Sequence, residues 1–173
     1  MKTLLKYSII GFVFTSFLGT LSHFVYEWSC NNTFTGILCP INESCWEHLK
    51  MIFFPYFIWS IIEWILLKKQ AGLLLSKFFG VISGMFSILT FFYTYTGILG
   101  VSIEIFNIAS FFIGIFTAFA IDYSLINSKK FVKHKNTIAI ILFTAMALLF
   151  FIFTFAPPFI PLFRDPISYT YGI

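Results

Sequence analysis

His23 and Glu27 stand four residues apart, as do Glu43 and Glu47, and as do Ser44 and His48. On a helix that spacing puts both members of a pair on one face. Two short stretches, SHFVYEW at 22–28 and PINESCWEHLK at 40–50, therefore each offer several polar groups on a common side. Imidazole and carboxylate together are the donor set of Zn, Mn and Fe sites, and the same groups serve as general acid and base around a bound water. On this reading His23, Glu27 and His48 are candidate ligands for a divalent metal such as Zn, and Glu43 and Glu47 are candidate catalytic carboxylates.

Each residue also has an ordinary role. Ser44-Cys45-Trp46-Glu47 fits the S-x-x-E capping box, in which Glu47 only closes the start of a helix. Glu43 would then sit at the positive end of that helix dipole, and Glu27-Trp28 reads as the interfacial end of a membrane helix. Taken singly, the ordinary roles are favoured. Taken together, the five weigh towards a site, because ionisable groups in membrane spans are costly and mark function.

The elements that must position these groups follow from composition. Hydrophobic residues make up 59% of the 173 residues and charged ones only 10%, against roughly 25% charged in soluble domains. Too few charges remain to cover a water-facing surface, so most of the chain is solvated by hydrocarbon. Five apolar segments, about 7–28, 46–67, 73–99, 103–126 and 137–156, are each near the ~20 residues that cross a bilayer as helix. Backbone groups in lipid must be satisfied internally, which predicts an all-α, polytopic helical bundle. The first segment follows Lys2 and Lys6 like a signal peptide, but its apolar run reaches Trp28 without an A-x-A site, so it reads as a retained helix. No linker or repeat interrupts the pattern, so a single membrane domain over 1–173 is expected, with an outer loop at 29–45 and an outer tail at 157–173.

Nine basic residues (Lys2, Lys6, Lys68, Lys69, Lys77, Lys129, Lys130, Lys133 and Lys135) fall on one side of this arrangement, and only Lys50 and Arg164 on the other. The positive-inside rule then places the N-terminus inside and the C-terminus outside, as expected in a plasma membrane. The charges form no basic stripe with interleaved aromatics, which argues against nucleic acid. The expected partners are the bilayer and either further copies of the chain or another membrane protein.

Ser76, Gly80 and Gly84 in the third segment match Ser110, Gly114 and Ala118 in the fourth, the small-residue spacing that lets helices approach closely. Pro55 predicts a kink in the second. Lys77 is expected to snorkel to the inner surface, and Glu63 and Asp122 to pair with Lys68, Lys69 and Lys129 at that interface. Cys30, Cys39 and Cys45 all fall in the outer loop, where an oxidising exterior permits one disulfide and leaves one thiol over. Asn31 and Asn42 each begin a glycosylation sequon, a pattern common by chance. The proline-rich ending APPFIPLFRDPISYTYGI cannot form a sixth span; it is expected to fold over the outer face as a plug or lid, anchored by Arg164 and Asp165.

GTLSHFVYEWS, PINESCWEHLK, FFYTYTGILG and PPFIPLFRDPISYTYGI, spread from end to end, resemble an uncharacterised family of small bacterial membrane proteins, domain of unknown function 6512. The resemblance implies a whole-chain membrane architecture and assigns no mechanism. It also implies that His23, Glu27, Glu43, Trp46, Glu47, His48 and the 164–166 stretch belong to a recurring pattern. Three functions fit the residues: metal-dependent hydrolase-like chemistry at the outer leaflet, binding or transport of a cation or small solute, or a structural membrane role.

Overall fold

The computed structural model describes residues 2–128 and 136–173. Five long helices carry the chain across the bilayer: α1 (Lys2–Trp28), α3 (Cys45–Leu66), α4 (Leu73–Leu99), α5 (Glu104–Asn127) and α6 (Asn136–Phe155). A sixth, short helix, α2 (Thr33–Leu38), lies in the loop between α1 and α3. The protein is an all-helical, multi-pass membrane protein. Lys129, Lys130, Lys133 and Lys135 lie outside the described residues. The two ends of the bundle are named here by what they carry: the basic rim with Lys2, Lys68 and Lys69, and the loop rim with residues 29–44 and the tail.

The expected spans agree with the helices to within a residue at most ends. The exception is α1, which begins at Lys2 because its first turn is polar yet helical. The expectation missed α2, whose apolar content is too short to register. Asn32 caps it, its side chain accepting from the Phe34 amide at 2.8 Å. Gly36 lets the helix close onto its neighbours: a Cβ there would meet Ile41 at 2.7 Å and the Tyr26 ring at 3.1 Å.

The capping box at α3 is only half formed. Ser44 Oγ accepts from the Glu47 amide at 3.3 Å, as expected. The Ser44 amide, however, donates to Asn42 Oδ1 (3.0 Å), and the Glu47 carboxylate turns inward instead of reaching back. Pro55 lies within α3, which continues unbroken to Leu66. Beyond it, Lys68 and Lys69 take left-handed backbone conformations and make the tight turn into α4.

α4 and α5 form the most extensive helix pair, joined at the loop rim by a turn that Gly100 starts in the left-handed conformation. Tyr95 braces this turn, donating from its hydroxyl to Asn107 Oδ1. The small residues lie at the crossing: a Cβ on Gly84 would meet the Gly114 carbonyl oxygen at 2.5 Å, and one on Gly80 the Ala118 carbonyl oxygen at 2.6 Å. α3 is the most enclosed helix, packed by α1, α4 and α6 around Phe53, Tyr56, Trp59, Phe119, Phe143 and Phe150. Large side chains such as Phe17, Phe86 and Phe116 point outward, as a hydrocarbon solvent permits.

The tail folds back onto the loop rim. Phe163, in a short 3-10 turn, is buried between Trp46 and Phe153, and the Ile173 amide donates to the Thr154 carbonyl at 3.0 Å. Arg164 and Asp165 order the tail itself. Asp165 accepts from the Ile167 amide (2.8 Å) and the Ser168 hydroxyl (2.6 Å), and the Arg164 guanidinium lies 4.6 Å over the Tyr169 ring. The tail is held to the bundle by the Phe163 contacts and the Ile173–Thr154 backbone hydrogen bond, whereas the expected anchor was the charged pair.

Candidate metal centre

α1 carries His23 to its loop-rim end, and the start of α3 carries His48 to the same level. The segment between them then turns so that Glu43, one residue before the Ser44 cap, faces both rings. His23 Nε2 and His48 Nε2 lie 3.3 Å apart. Glu43 Oε1 is 3.7 Å from His23 Nε2, and Glu43 Oε2 is 3.3 Å from His48 Nε2. All three ligand atoms fall within 4.8 Å of one another. Four ligands at about 2.0–2.1 Å from zinc, arranged as a tetrahedron, stand about 3.3–3.4 Å from each other. The two Nε2 atoms, and His48 Nε2 with Glu43 Oε2, have that spacing; the other carboxylate oxygen stands slightly farther, 3.7 Å from His23 Nε2.

The outer hydrogen bond of the cluster sets its chemistry. His48 Nδ1 lies 3.0 Å from the Ser44 carbonyl oxygen, an acceptor only, so Nδ1 carries the proton. A neutral His48 therefore directs a lone pair from Nε2 towards His23 and Glu43, the orientation metal-ligating histidines take when a carbonyl holds the other nitrogen. When His48 is protonated instead, Nε2–H donates to Glu43. That hydrogen bond is the main cause holding the Glu43 carboxyl below its ordinary range; charge on His48 and His23 adds to it, and partial burial opposes it. Proton and metal thus compete for one place. The side chains are about a third exposed, 33% for His23, 30% for His48 and 42% for Glu43, so the cluster opens to solvent.

The other two predicted site residues lie apart. Glu27 is exposed one turn beyond His23, outside the cluster. Glu47 is buried and ion-paired to Lys50, whose Nζ lies 2.5 Å from Glu47 Oε2 and also donates to the Gly36 carbonyl (2.7 Å) and Thr154 Oγ1 (2.6 Å). Glu47 Oε2 accepts from the Ile41 amide as well. Buried so, Glu47 joins α2, α3 and α6 and stands outside the histidine cluster. The cysteines are free, Cys30 exposed and Cys39 buried.

A second buried charge cluster lies towards the basic rim, and it corrects two expectations. Lys77 does not snorkel: its side chain is fully buried, 2.7 Å from Glu63 Oε2 and 2.6 Å from Asp122 Oδ2. Glu63 and Asp122 accordingly pair with Lys77 instead of Lys68 and Lys69. Two carboxylates on facing helices hold the ammonium more strongly than headgroups at the end of a stretched side chain. Tyr56, two turns from Glu63 on α3, donates its hydroxyl to Asp122 Oδ2. The signal available in the sequence was the seven-residue spacing of Tyr56 and Glu63, which places both on one helix face.

Comparison with curated proteins finds no match, and comparison with solved structures finds none. One family model matches residues 1–173, the whole chain, and by that match the protein belongs to DUF6512, a family of unknown function.

Proposed function

We propose that this protein binds a divalent transition metal of the zinc class at the loop rim, through His23, Glu43 and His48, and that the rim faces the exterior of the plasma membrane. The observation that carries the reading is the convergence of both Nε2 atoms and the Glu43 carboxylate within 3.3–3.7 Å, with Ser44 fixing the His48 tautomer. Two imidazoles and one glutamate are also the ligand set of hydrolytic zinc sites, which keep a position for water. A metal there lowers the pKa of that water. The reaction class this favours is hydrolysis at the level of the lipid headgroups. Exposed Glu27, one turn along α1, is the carboxylate with freedom to take the proton; Glu47, held by Lys50, is not. The orientation rests on the lysines at the basic rim, which the positive-inside rule assigns to the cytoplasm.

Metal titration of the purified full chain in detergent tests this. Co(II) is expected to give the absorption of a tetrahedral site, and Zn(II) to displace it and raise the thermal midpoint. His23→Ala, His48→Ala and Glu43→Gln are each expected to weaken binding at least tenfold, while Glu27→Gln leaves affinity unchanged. Absence of stabilisation by Zn, Co or Mn, or equal binding by the histidine variants, would overturn the proposal.

A further inference from the structure

The buried cluster of Glu63, Lys77 and Asp122 shares no residue with the histidine site and lies towards the other end of the bundle. It stands about a turn inside the basic-rim ends of α3, α4 and α5, and all three side chains are 0% exposed. Two carboxylates face one ammonium, so full ionisation leaves one negative charge uncompensated where water is excluded. Such a charge is far costlier than a neutralised one.

The hydrogen bonds show where the imbalance falls. Glu63 Oε2 meets Lys77 and accepts from Trp59 Nε1 at 3.1 Å. Asp122 Oδ2 meets Lys77 and accepts from the Tyr56 hydroxyl. The opposite oxygens, Glu63 Oε1 and Asp122 Oδ1, are buried and accept no hydrogen bond. Each carboxylate therefore meets its partners through one oxygen, and the other oxygen is left bare.

Among the described residues, no other helix supplies the missing positive charge. α1 passes Trp59 at Gly11, and the buried group one turn away is the neutral hydroxyl of Ser8. Lys6 of α1 is exposed, and half-buried Tyr7 packs in the aromatic core. α6 has no ionisable side chain between Asn136 and Phe155. On α5 the neighbouring Tyr123 packs with Leu4, Leu73 and Ile126. On α3 and α4 the only ionisable groups in this half of the bundle are those already in the cluster, Tyr56, Glu63 and Lys77.

We propose that the Glu63–Lys77–Asp122 cluster is a proton-binding site that holds one exchangeable proton. The proton forms an O–H bond on Glu63 Oε1 or Asp122 Oδ1 and is drawn from water at the basic rim. Lys77 remains an ammonium, and the site becomes electrically neutral. Tyr56 orients Asp122 by donating to its other oxygen, so the free oxygen stays available. The inference stands independently of the metal reading.

Infrared spectroscopy of the full chain in lipid nanodiscs tests it, because a protonated carboxylic acid has a carbonyl stretch that a carboxylate lacks and that shifts in D2O. The wild type is expected to show one such buried acid while folded. Glu63→Gln and Asp122→Asn each leave one carboxylate against Lys77, so each is expected to abolish the band. Lys77→Met is expected to add a second acid band, and Glu43→Gln to leave the spectrum of the buried acid intact. Absence of the band from the wild type, or its persistence in both carboxylate variants, would overturn the proposal. So would stabilisation by Na+ that requires both carboxylates and occurs without a protonated acid. Should Lys77→Met fail to fold, the two carboxylate variants decide the matter alone.

Discussion

His48 donates its Nδ1–H to the Ser44 carbonyl, and that single hydrogen bond decides what Nε2 can do. It is either a bare donor atom for a metal or, once protonated, a hydrogen-bond donor to Glu43. Because Glu43's carboxyl is held below its ordinary range in the folded chain, its contribution to metal-free stability is fully present above the ordinary carboxylate value and lost as pH falls through the depressed one. In thermal unfolding followed against pH, Glu43→Gln is therefore expected to melt below the wild type at mildly acid pH. The two curves should converge at the acid end, and parallel curves would contradict the assignment. Zinc affinity should fall as pH is lowered, since protons compete for the same nitrogens and carboxylate. The helical spacing made His23 and His48 legible in sequence. It did not separate the roles of the glutamates, because Glu43 reaches the rings through a non-helical turn and Glu47 is diverted by Lys50.

At the scale of helices, the crossing of α4 and α5 depends on backbones in near contact. At Gly84 a methyl group would meet the backbone carbonyl of Gly114 at 2.5 Å and the Ala118 methyl at 2.9 Å. Backbone atoms cannot swing aside as a flexible side chain can. Gly84→Ala is expected to cost roughly 1–3 kcal/mol, the usual penalty of overpacking. Gly97, in the same helix, has nothing within 4 Å of an added Cβ, so Gly97→Ala should be neutral or gain up to about 1 kcal/mol from helix propensity. Melting curves of both variants in one detergent give the comparison, and equal midpoints would contradict the packing argument. The repeated small residues announced this interface in the sequence. What they did not announce is that Gly80 also opens space beside Tyr56 and Asp122, with the Tyr56 hydroxyl 2.8 Å from where its Cβ would be.

For the molecule as a whole, Cys30 and Cys39 lie on the same rim but differ in access. Cys30 is exposed after α1; Cys39 is buried, and that burial raises its thiol pKa against the opposing charge of Lys50. A membrane-impermeant maleimide added to intact cells is expected to label Cys30 quickly and Cys39 hardly at all. Labelling only after permeabilisation would reverse the orientation and place the histidine cluster inside. The Phe163 contact with Trp46 closes the tail onto this rim, so the loop, the tail and the candidate metal centre form one continuous surface.

The number and order of the membrane helices, and their length except at the start of α1, were determined by the sequence alone, because hydrocarbon solvent leaves a long apolar run no other way to satisfy its backbone. The close pairing of α4 with α5 followed from small residues at a fixed spacing. The partners of the charges were decided only by the tertiary structure. Lys50, Glu47, Lys77, Glu63 and Asp122 each lie in or beside an apolar helix, where local rules suggest caps, snorkelling and interfacial pairing. Burial makes an unpaired charge so costly that the whole packing must supply its partner, and that partner comes from another helix or from one turn away on the same one. The placing of Glu43, and not Glu27, before the histidines has a local cause instead: a turn in the loop, invisible to helical periodicity, brings it there.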